Sequence, residues 1–366
     1  MSVPKFNEAE EMKVVAELPS FGPGPGVKVY NYPVTPREAY LAAIQKKDPV
    51  WQISGNETAL FCPRFYPDNV ARAFVFDAEG VVMNDQSGLK VGGPDMFGIE
   101  WVFVPAAGGS MVQPGKPLFE DANEWKSKVK FPNIDAWDWA GGAKKNEAYL
   151  KSLNTLPLTW IMNGFFERLI SFMDFEGAAT AMIDEEQQDA VKELMDRLAD
   201  LYIKIVDNYN KYFGLNSFTV HDDWGSQMAP FFSPAVGKKL IVPAMRKLTD
   251  HIHAIGGVAD FHSCGHVDMC VPNMIDAGWD SWSGMAMNDT HTAYEKYGDK
   301  IVLGVIPEQW DPASTPEDKQ KAEARKFVDK FCKPGKPCLV NYYGAAVLTP
   351  AFREELYRYS RSKLGA

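Results

Sequence analysis

His262 and Cys264 lie two residues apart at the end of the apolar, strand-like run 258–262. Imidazole nitrogen and thiolate sulfur are both good zinc ligands. Side chains two residues apart on an extended strand point to the same side, so one ion can bind both. Gly265 then provides a turn. This pattern predicts a metal site, and the alternative is a buried cysteine beside a hydrogen-bonded core histidine.

Three ionisable residues, His221, Asp222 and Asp223, end the preceding strand-like run 217–222. Strand alternation places His221 and Asp223 on the inner face and predicts that Asp222 lies at the rim. An imidazole beside two acids can ligate a metal, donate a proton or orient a ligand histidine. The alternative is a pair of solvated aspartates that cap the next turn. We assign all three to catalysis, with Asp223 foremost.

Two later strand ends offer further polar groups. Glu308 follows the run 301–306, and Tyr343 ends the run 339–343. We expect Glu308 to complete the metal site and Tyr343 to bind substrate, although such residues are more often loop acids and packed tyrosines. Cys338 is rejected as a ligand because it starts its strand, about 16 Å from the far end at ~3.3 Å per residue.

Strand-like and helical segments alternate in the C-terminal half, which is typical of βα units around a parallel sheet. The predicted strands cover 217–222, 258–262, 279–284, 301–306 and 339–343. This periodicity fits a closed barrel and an open, doubly wound sheet equally well. No glycine-rich phosphate-binding motif of either common kind is present. We therefore predict an α/β fold, a (β/α)8 barrel, whose chemistry takes place at the C-terminal strand ends.

Proline and glycine interrupt the first fifty residues, as in FGPGPG at 21–26. These residues break regular structure, so we predict an irregular N-terminal extension over 1–50, packed on a barrel domain over 51–366. Within them, 35–45 reads as a capped helix. Ser233 and Pro234 are typical of a helix start, and Pro243 predicts a kink further along that helix.

The composition limits the classes of partner. The formal net charge is -10, and no basic block reverses it locally, which argues against nucleic acid and membrane surfaces. No apolar stretch approaches the ~18 residues of a membrane span, and the N-terminus lacks a secretory signal pattern. Five scattered cysteines do not resemble a disulfide framework. We expect a cytoplasmic protein with reduced thiols.

Several motifs resemble one known superfamily. HDDWGSQ at 221–227, the SP pair at 233–234, FHSCGH at 261–266 and LTP at 348–350 resemble the uroporphyrinogen decarboxylase-like superfamily, and within it the corrinoid-dependent methyltransferase branch. The narrower similarity, to the methyltransferase I of aryl methyl ether O-demethylases, is carried by three N-terminal segments. These are DNVARAF (68–74), DMFGIEWVFVP (95–105) and GGSMVQPG (108–115).

The resemblance implies a barrel, a zinc ion on the His-x-Cys pair and a separate corrinoid-binding protein docked at the barrel mouth. Several members have a third zinc ligand, a cysteine shortly before a Thr-Pro pair in the last strand. Counting back from Thr349, Tyr343 stands in that place, which leaves the third ligand open. The arginine-rich motif of the true decarboxylases is missing, which disfavours decarboxylation.

The expected reaction moves the methyl group of a methoxylated aromatic compound to the cob(I)alamin of the partner protein. Such a displacement expels a phenoxide, which leaves readily only when its oxygen is bound to a Lewis acid or protonated. Zinc would be that Lewis acid. We expect the substrate ring to lie among aromatic and polar side chains, namely Asn163, Phe166, Trp224 and Tyr343.

Other functions stay open at this point. One alternative is a methylcorrinoid:thiol or methylcorrinoid:folate methyltransferase, in which zinc would activate the acceptor. Another is a uroporphyrinogen decarboxylase-like protein of different activity, or a metal-free barrel that binds a tetrapyrrole or a partner without catalysis. Whether the chain forms a homodimer is also left open.

Overall fold

The computed structural model describes residues 3–18, 26–83, 91–105, 109–341 and 346–366. The chain divides into two compact units. The first unit comprises Met1–Thr58, Asn154–Leu156 and Asp280–Ala366, and the second comprises Ala59–Leu153 and Pro157–Trp279. The prediction of an extension over 1–50 and one barrel domain over 51–366 stays a prediction.

The described residues form fourteen strands and thirteen α-helices. In chain order the strands are β1 Val14–Leu18, β2 Val27–Tyr30, β3 Thr58–Phe61, β4 Val75–Asp77, β5 Gly80–Val82, β6 Gly93–Pro94, β7 Glu100–Val104, β8 Gly109–Val112, β9 Leu156–Ile161, β10 Phe218–His221, β11 Ala259–His262, β12 Ser281–Trp282, β13 Val302–Val305 and β14 Cys338–Val340. The helices are α1 Glu8–Glu11, α2 Pro36–Lys46, α3 Pro67–Ala71, α4 Trp125–Lys128, α5 Trp139–Ser152, α6 Phe166–Ile183, α7 Gln188–Phe213, α8 Pro234–Leu240, α9 Val242–Ala254, α10 Val271–Asp276, α11 Thr290–Tyr297, α12 Glu317–Phe331 and α13 Pro350–Leu364.

The second unit contains the strands that matter most for the site. Its strands lie in the order β11-β10-β9-β3. Thr58 and Leu156, the first residues of β3 and β9, belong to the first unit. β10 runs parallel to both of its neighbours. Every residue of β10 is buried, as expected of a strand covered on both faces. The helices α6 to α10, which follow β9, β10 and β11 in the chain, provide this cover.

The first unit contains β12, β13 and β14, which pair in parallel in that order. It also contains the antiparallel pair of β1 and β2. Seven strands thus belong to the parallel α/β part of the fold, four in one unit and three in the other. The predicted α/β class is confirmed. An eighth such strand is not found within the described ranges, so the closed (β/α)8 barrel stays a prediction.

Most of the predicted elements are present, although the strands are shorter than expected. Thr35 caps α2 through a capping box with Glu38. The apolar positions predicted between 191 and 205 form the buried stripe of α7. Ser233 caps α8, and the kink predicted at Pro243 is a break at Ile241, where α8 ends and α9 begins. Among the described residues, no helix has the length and apolar character needed to cross a membrane.

Arg64 and Asp77 form an ion pair within the second unit. Arg64 donates from Nη2 to Asp77 Oδ1 at 2.7 Å and from Nε to Oδ2 at 2.8 Å, and the Asp77 side chain is almost fully buried. Burial alone would raise the pKa of this carboxyl. The hydrogen bonds from Arg64 and from neighbouring backbone N–H groups outweigh burial and hold the pKa below its ordinary value.

Replacing Asp77 by Asn should destabilise the protein most at neutral pH. A carboxyl whose pKa is lower in the folded state stabilises the fold above its unfolded pKa of about 4, and that contribution is lost as the pH falls through the folded value. The difference in free energy of unfolding between wild type and Asp77→Asn should therefore be constant from neutral pH to about pH 5 and shrink below about pH 4. Urea unfolding at a series of pH values measures it. A difference in free energy of unfolding that does not shrink below about pH 4 would contradict the lowered pKa of Asp77.

Candidate metal centre

Strand register brings two histidines together. His221 and His262 are the last residues of β10 and β11, and they are partners in the parallel register. Their rings stack with centroids 4.9 Å apart and an interplanar angle of 19°. Parallel strands end at the same edge of a sheet, so Asp223 and Cys264, two residues beyond, emerge beside them.

Four donor atoms, from His221, Asp223, His262 and Cys264, lie within 4.8 Å of one another. The atoms His262 Nε2 and Cys264 Sγ are 3.3 Å apart, and His221 Nε2 and Asp223 Oδ1 are 3.8 Å apart. A tetrahedral zinc with bonds of about 2.0–2.3 Å places neighbouring ligand atoms about 3.3–3.8 Å apart. The donor types and these two spacings therefore fit a zinc ion.

Hydrogen bonds from two backbone N–H groups hold the two strand ends in place. Asp222 N donates to His262 O at 2.9 Å, and Cys264 N donates to Asp223 Oδ1 at 2.7 Å. Gly265 follows with φ +92°, and a Cβ at this position would lie 2.2 Å from Gly225 O. Only glycine has both the left-handed φ and the space. The predicted turn thus brings the segment after β11 against the segment after β10.

The donor groups differ in their readiness to bind a metal near neutral pH. Burial, reinforced by the positive charge of His221, lowers the pKa of His262 to about 4, so this imidazole is neutral. Burial raises the pKa of the Cys264 thiol. Burial also opposes the charged form of His221, but the Glu167 and Asp223 carboxylates outweigh it and raise the pKa of His221 well above its ordinary value. A metal ion bound here would displace protons, and its affinity would fall as the pH falls.

Asp223 is the ionised acid of this group. Burial would raise its pKa, but the positive charge of His221 and the hydrogen bond from the N–H of Cys264 outweigh burial and lower it. A carboxylate that stays ionised beside two imidazoles can serve as a ligand oxygen or can orient a bound group.

Asp222 does not lie at the rim, and that expectation is wrong. Its side chain has no exposed surface. It accepts hydrogen bonds from Glu167 N at 2.9 Å and from Trp224 Nε1 at 2.8 Å. Burial raises the pKa of Asp222 to about 7. The carboxyl group therefore ties β10 to the start of α6 and points away from the four donors.

The residues predicted to bind substrate lie in different surroundings. Phe166 and Trp224 have no exposed surface, and both pack against Phe232. Asn163 is also buried, and it donates to Asp68 Oδ2 at 3.1 Å. Their contact with a substrate stays a prediction. Tyr343 lies outside the described residues.

Glu308 is not part of the four-donor group. Its side chain is 77% exposed, and its Oε1 lies 3.7 Å from His291 Nδ1. A solvated carboxylate beside one histidine is an ordinary surface pair, so the structure gives no support to Glu308 as a zinc ligand.

Trp160 is an aromatic residue that the sequence reasoning missed. It lies on β9 in register with Thr219, two residues before His221 on the neighbouring strand, so strand alternation turns it to the same face. Its ring centroid is 5.4 Å from that of His262, and the residue is partly exposed. Trp160 thus provides a partly open aromatic surface beside the metal donors.

Comparison with known proteins gives a likeness of fold. No protein-family model matches the sequence, and no curated protein matches it. The structure is similar to that of a methyltransferase from Methanosarcina mazei, with a TM-score of 0.58. The two chains are 17% identical, and the match covers 91% of this chain and 100% of the other. At this identity the likeness shows the fold alone.

Proposed function

We propose that this protein is a methyltransferase that removes the methyl group of a methoxylated aromatic compound and transfers it to the cob(I)alamin of a separate corrinoid protein, with zinc as cofactor. The observation that carries the proposal is the group of four donor atoms at the ends of β10 and β11. The motif resemblance and the fold of the methyltransferase from Methanosarcina mazei support the reaction type.

His262 and Cys264 would hold the zinc, with His221 and Asp223 as the further donors. Zinc there would act as a Lewis acid on the ether oxygen and make phenoxide a tolerable leaving group. The C–O bond would break with its electron pair left on the phenoxide, and the electron pair of the partner's cob(I)alamin would form the new bond to the methyl carbon. The ionised Asp223 orients the reacting group, and the Trp160 ring offers a stacking surface for the substrate ring.

The reaction can be followed directly. We expect 2-methoxyphenol-type substrates to convert the cob(I)alamin of a reduced corrinoid protein to methylcobalamin in the presence of this enzyme, because the ring can stack and the phenoxide oxygen can meet the metal. Methanol and methylamine have no ring and should react far more slowly. The absorbance of cobalt measures the conversion with each donor.

Two results would contradict this proposal. Methanol that reacts as fast as a methoxyphenol would show that the ring plays no part in binding. Methylation of a thiol or a folate from methylcobalamin, without any aromatic requirement, would instead indicate a methylcorrinoid-dependent acceptor methyltransferase. The four donors include only one thiol, which is fewer than thiol-activating zinc sites usually contain.

A further inference from the structure

Glu167 and Arg72 lie directly behind the metal donors. Glu167 Oε2 is 2.6 Å from His221 Nδ1, and Glu167 Oε1 accepts from Arg72 Nη1 at 2.7 Å. The three side chains are between 9% and 12% exposed. We propose that Glu167 and Arg72 are positioning residues that make His221 the third ligand of the metal. This inference rests on the proposed metal site.

The hydrogen bond to Glu167 determines which nitrogen of His221 is available. Since Nδ1 is bound to the carboxylate, only Nε2 can reach the other donors, and it lies 3.8 Å from Asp223 Oδ1. Stacking on His262 limits rotation of the ring. Ligand histidines commonly donate their second N–H to a carboxylate, which fixes the ring and makes the ligating nitrogen more basic. His221 therefore has the surroundings of a ligand.

The position of Glu167 is fixed by the backbone as well as by its side chain. Glu167 N donates to Asp222 Oδ1 at 2.9 Å, and Gly164 N donates to His221 O at 2.7 Å. A Cβ on Gly164 would lie 2.5 Å from Asp222 Cβ, so a side chain there would force the two segments apart. These contacts thus fix the start of α6 against the end of β10.

Arg72 is held from two further sides. Its Nη1 also donates to Asn163 Oδ1 at 2.9 Å, and its guanidinium lies 4.8 Å from the centroid of the Trp101 ring. Asn163 is itself bonded to Asp68, which pairs with the fully buried Arg168. Arg72 therefore supplies a fixed positive charge to Glu167 where water is largely excluded. This network gives Asn163 a supporting role behind the metal site.

The test is the affinity for metal of Glu167→Gln, measured for Zn²⁺ and Co²⁺ by competition with a chromophoric chelator. Gln keeps the size of the side chain but loses the charge and the pairing with Arg72. We expect the dissociation constant to rise about 10- to 100-fold, and Arg72→Met to shift it in the same direction. Glu355→Gln is the matched control, because Glu355 is also buried and bonded to two arginines, Arg325 and Arg358, but belongs to the other unit. Equal affinities in wild type and both site variants would overturn the inference.

A spectroscopic measurement separates positioning from general destabilisation and does not depend on metal. In metal-free protein with ¹⁵N-labelled histidine, the Nδ1 proton of His221 should be protected from exchange with water, and Glu167→Gln and Arg72→Lys should both accelerate its exchange. An unprotected proton in the wild type would overturn the inference. A wild type that shows the protected proton but binds no metal would refute the proposed zinc function and leave the contact between Glu167 and His221 established.

Discussion

Replacing His262 by Ala or Cys264 by Ser should remove the metal from the protein while the fold survives. The two residues supply a nitrogen and a sulfur to the four-donor group, and zinc sites need three protein ligands or more. Both residues are only partly buried, so their loss leaves no large cavity. We expect elemental analysis to find about one zinc per wild-type chain and close to none in either variant. Methyl transfer should be lost together with the metal.

Cys338→Ser is the matched control for Cys264→Ser. Cys338 opens β14 as predicted, is 1% exposed and contacts Gln52 through its sulfur at 3.6 Å. The substitution places a hydroxyl in a buried position and should lower stability without changing zinc content. Zinc lost from Cys338→Ser, or zinc retained by His262→Ala and Cys264→Ser, would contradict the assigned ligands. Circular dichroism shows whether each variant remains folded.

The residues at the ends of β10 and β11 could be predicted because the signal is local. A run of apolar residues marks a strand, and alternation within it decides which side chains share a face. That reasoning is enough to group His221 with Asp223 and His262 with Cys264. Their meeting at one edge then follows from the parallel arrangement of successive βα units.

Glu167 and Arg72 could not be predicted in the same way. Glu167 contacts His221 across 54 residues of sequence, and Arg72 contacts Glu167 across 95. Glu167 belongs to none of the motifs that carry the resemblance, and Arg72 lies in one of them, DNVARAF (68–74), which does not show what its side chain contacts. Glu167 is near the start of α6, and Arg72 caps the end of α3. Their roles depend on where those helices pack, which strand periodicity does not determine.

Asp222 shows where alternation stops being informative. Strand alternation correctly places Asp222 on the face opposite to His221 and Asp223. It does not show whether that opposite face meets water or protein. The start of α6 covers that face, and Trp224 folds back onto it. Glu308 stands three positions beyond the end of β13, where the strand no longer fixes the direction of a side chain. Its direction is set by the loop, where it meets His291.

The pair of variants Asp223→Asn and Asp222→Asn should separate chemistry from stability. Asp223 belongs to the donor group and is ionised, so its loss should reduce turnover by roughly 10²–10⁴-fold, the range typical of a positioned proton-transfer or orienting group. Loss of Asp223 should also weaken zinc binding.

Asp222 accepts hydrogen bonds from two donors in a buried site, and an amide can present only one acceptor oxygen to them. Leaving one donor unsatisfied costs about 1–3 kcal/mol of stability, so Asp222→Asn should unfold at lower urea concentration while its folded fraction keeps zinc and most of its turnover. Turnover, zinc content and urea midpoint are measured on both variants. Similar small losses of turnover in the two would remove Asp223 from the chemistry, and loss of zinc from Asp222→Asn alone would reverse the two roles.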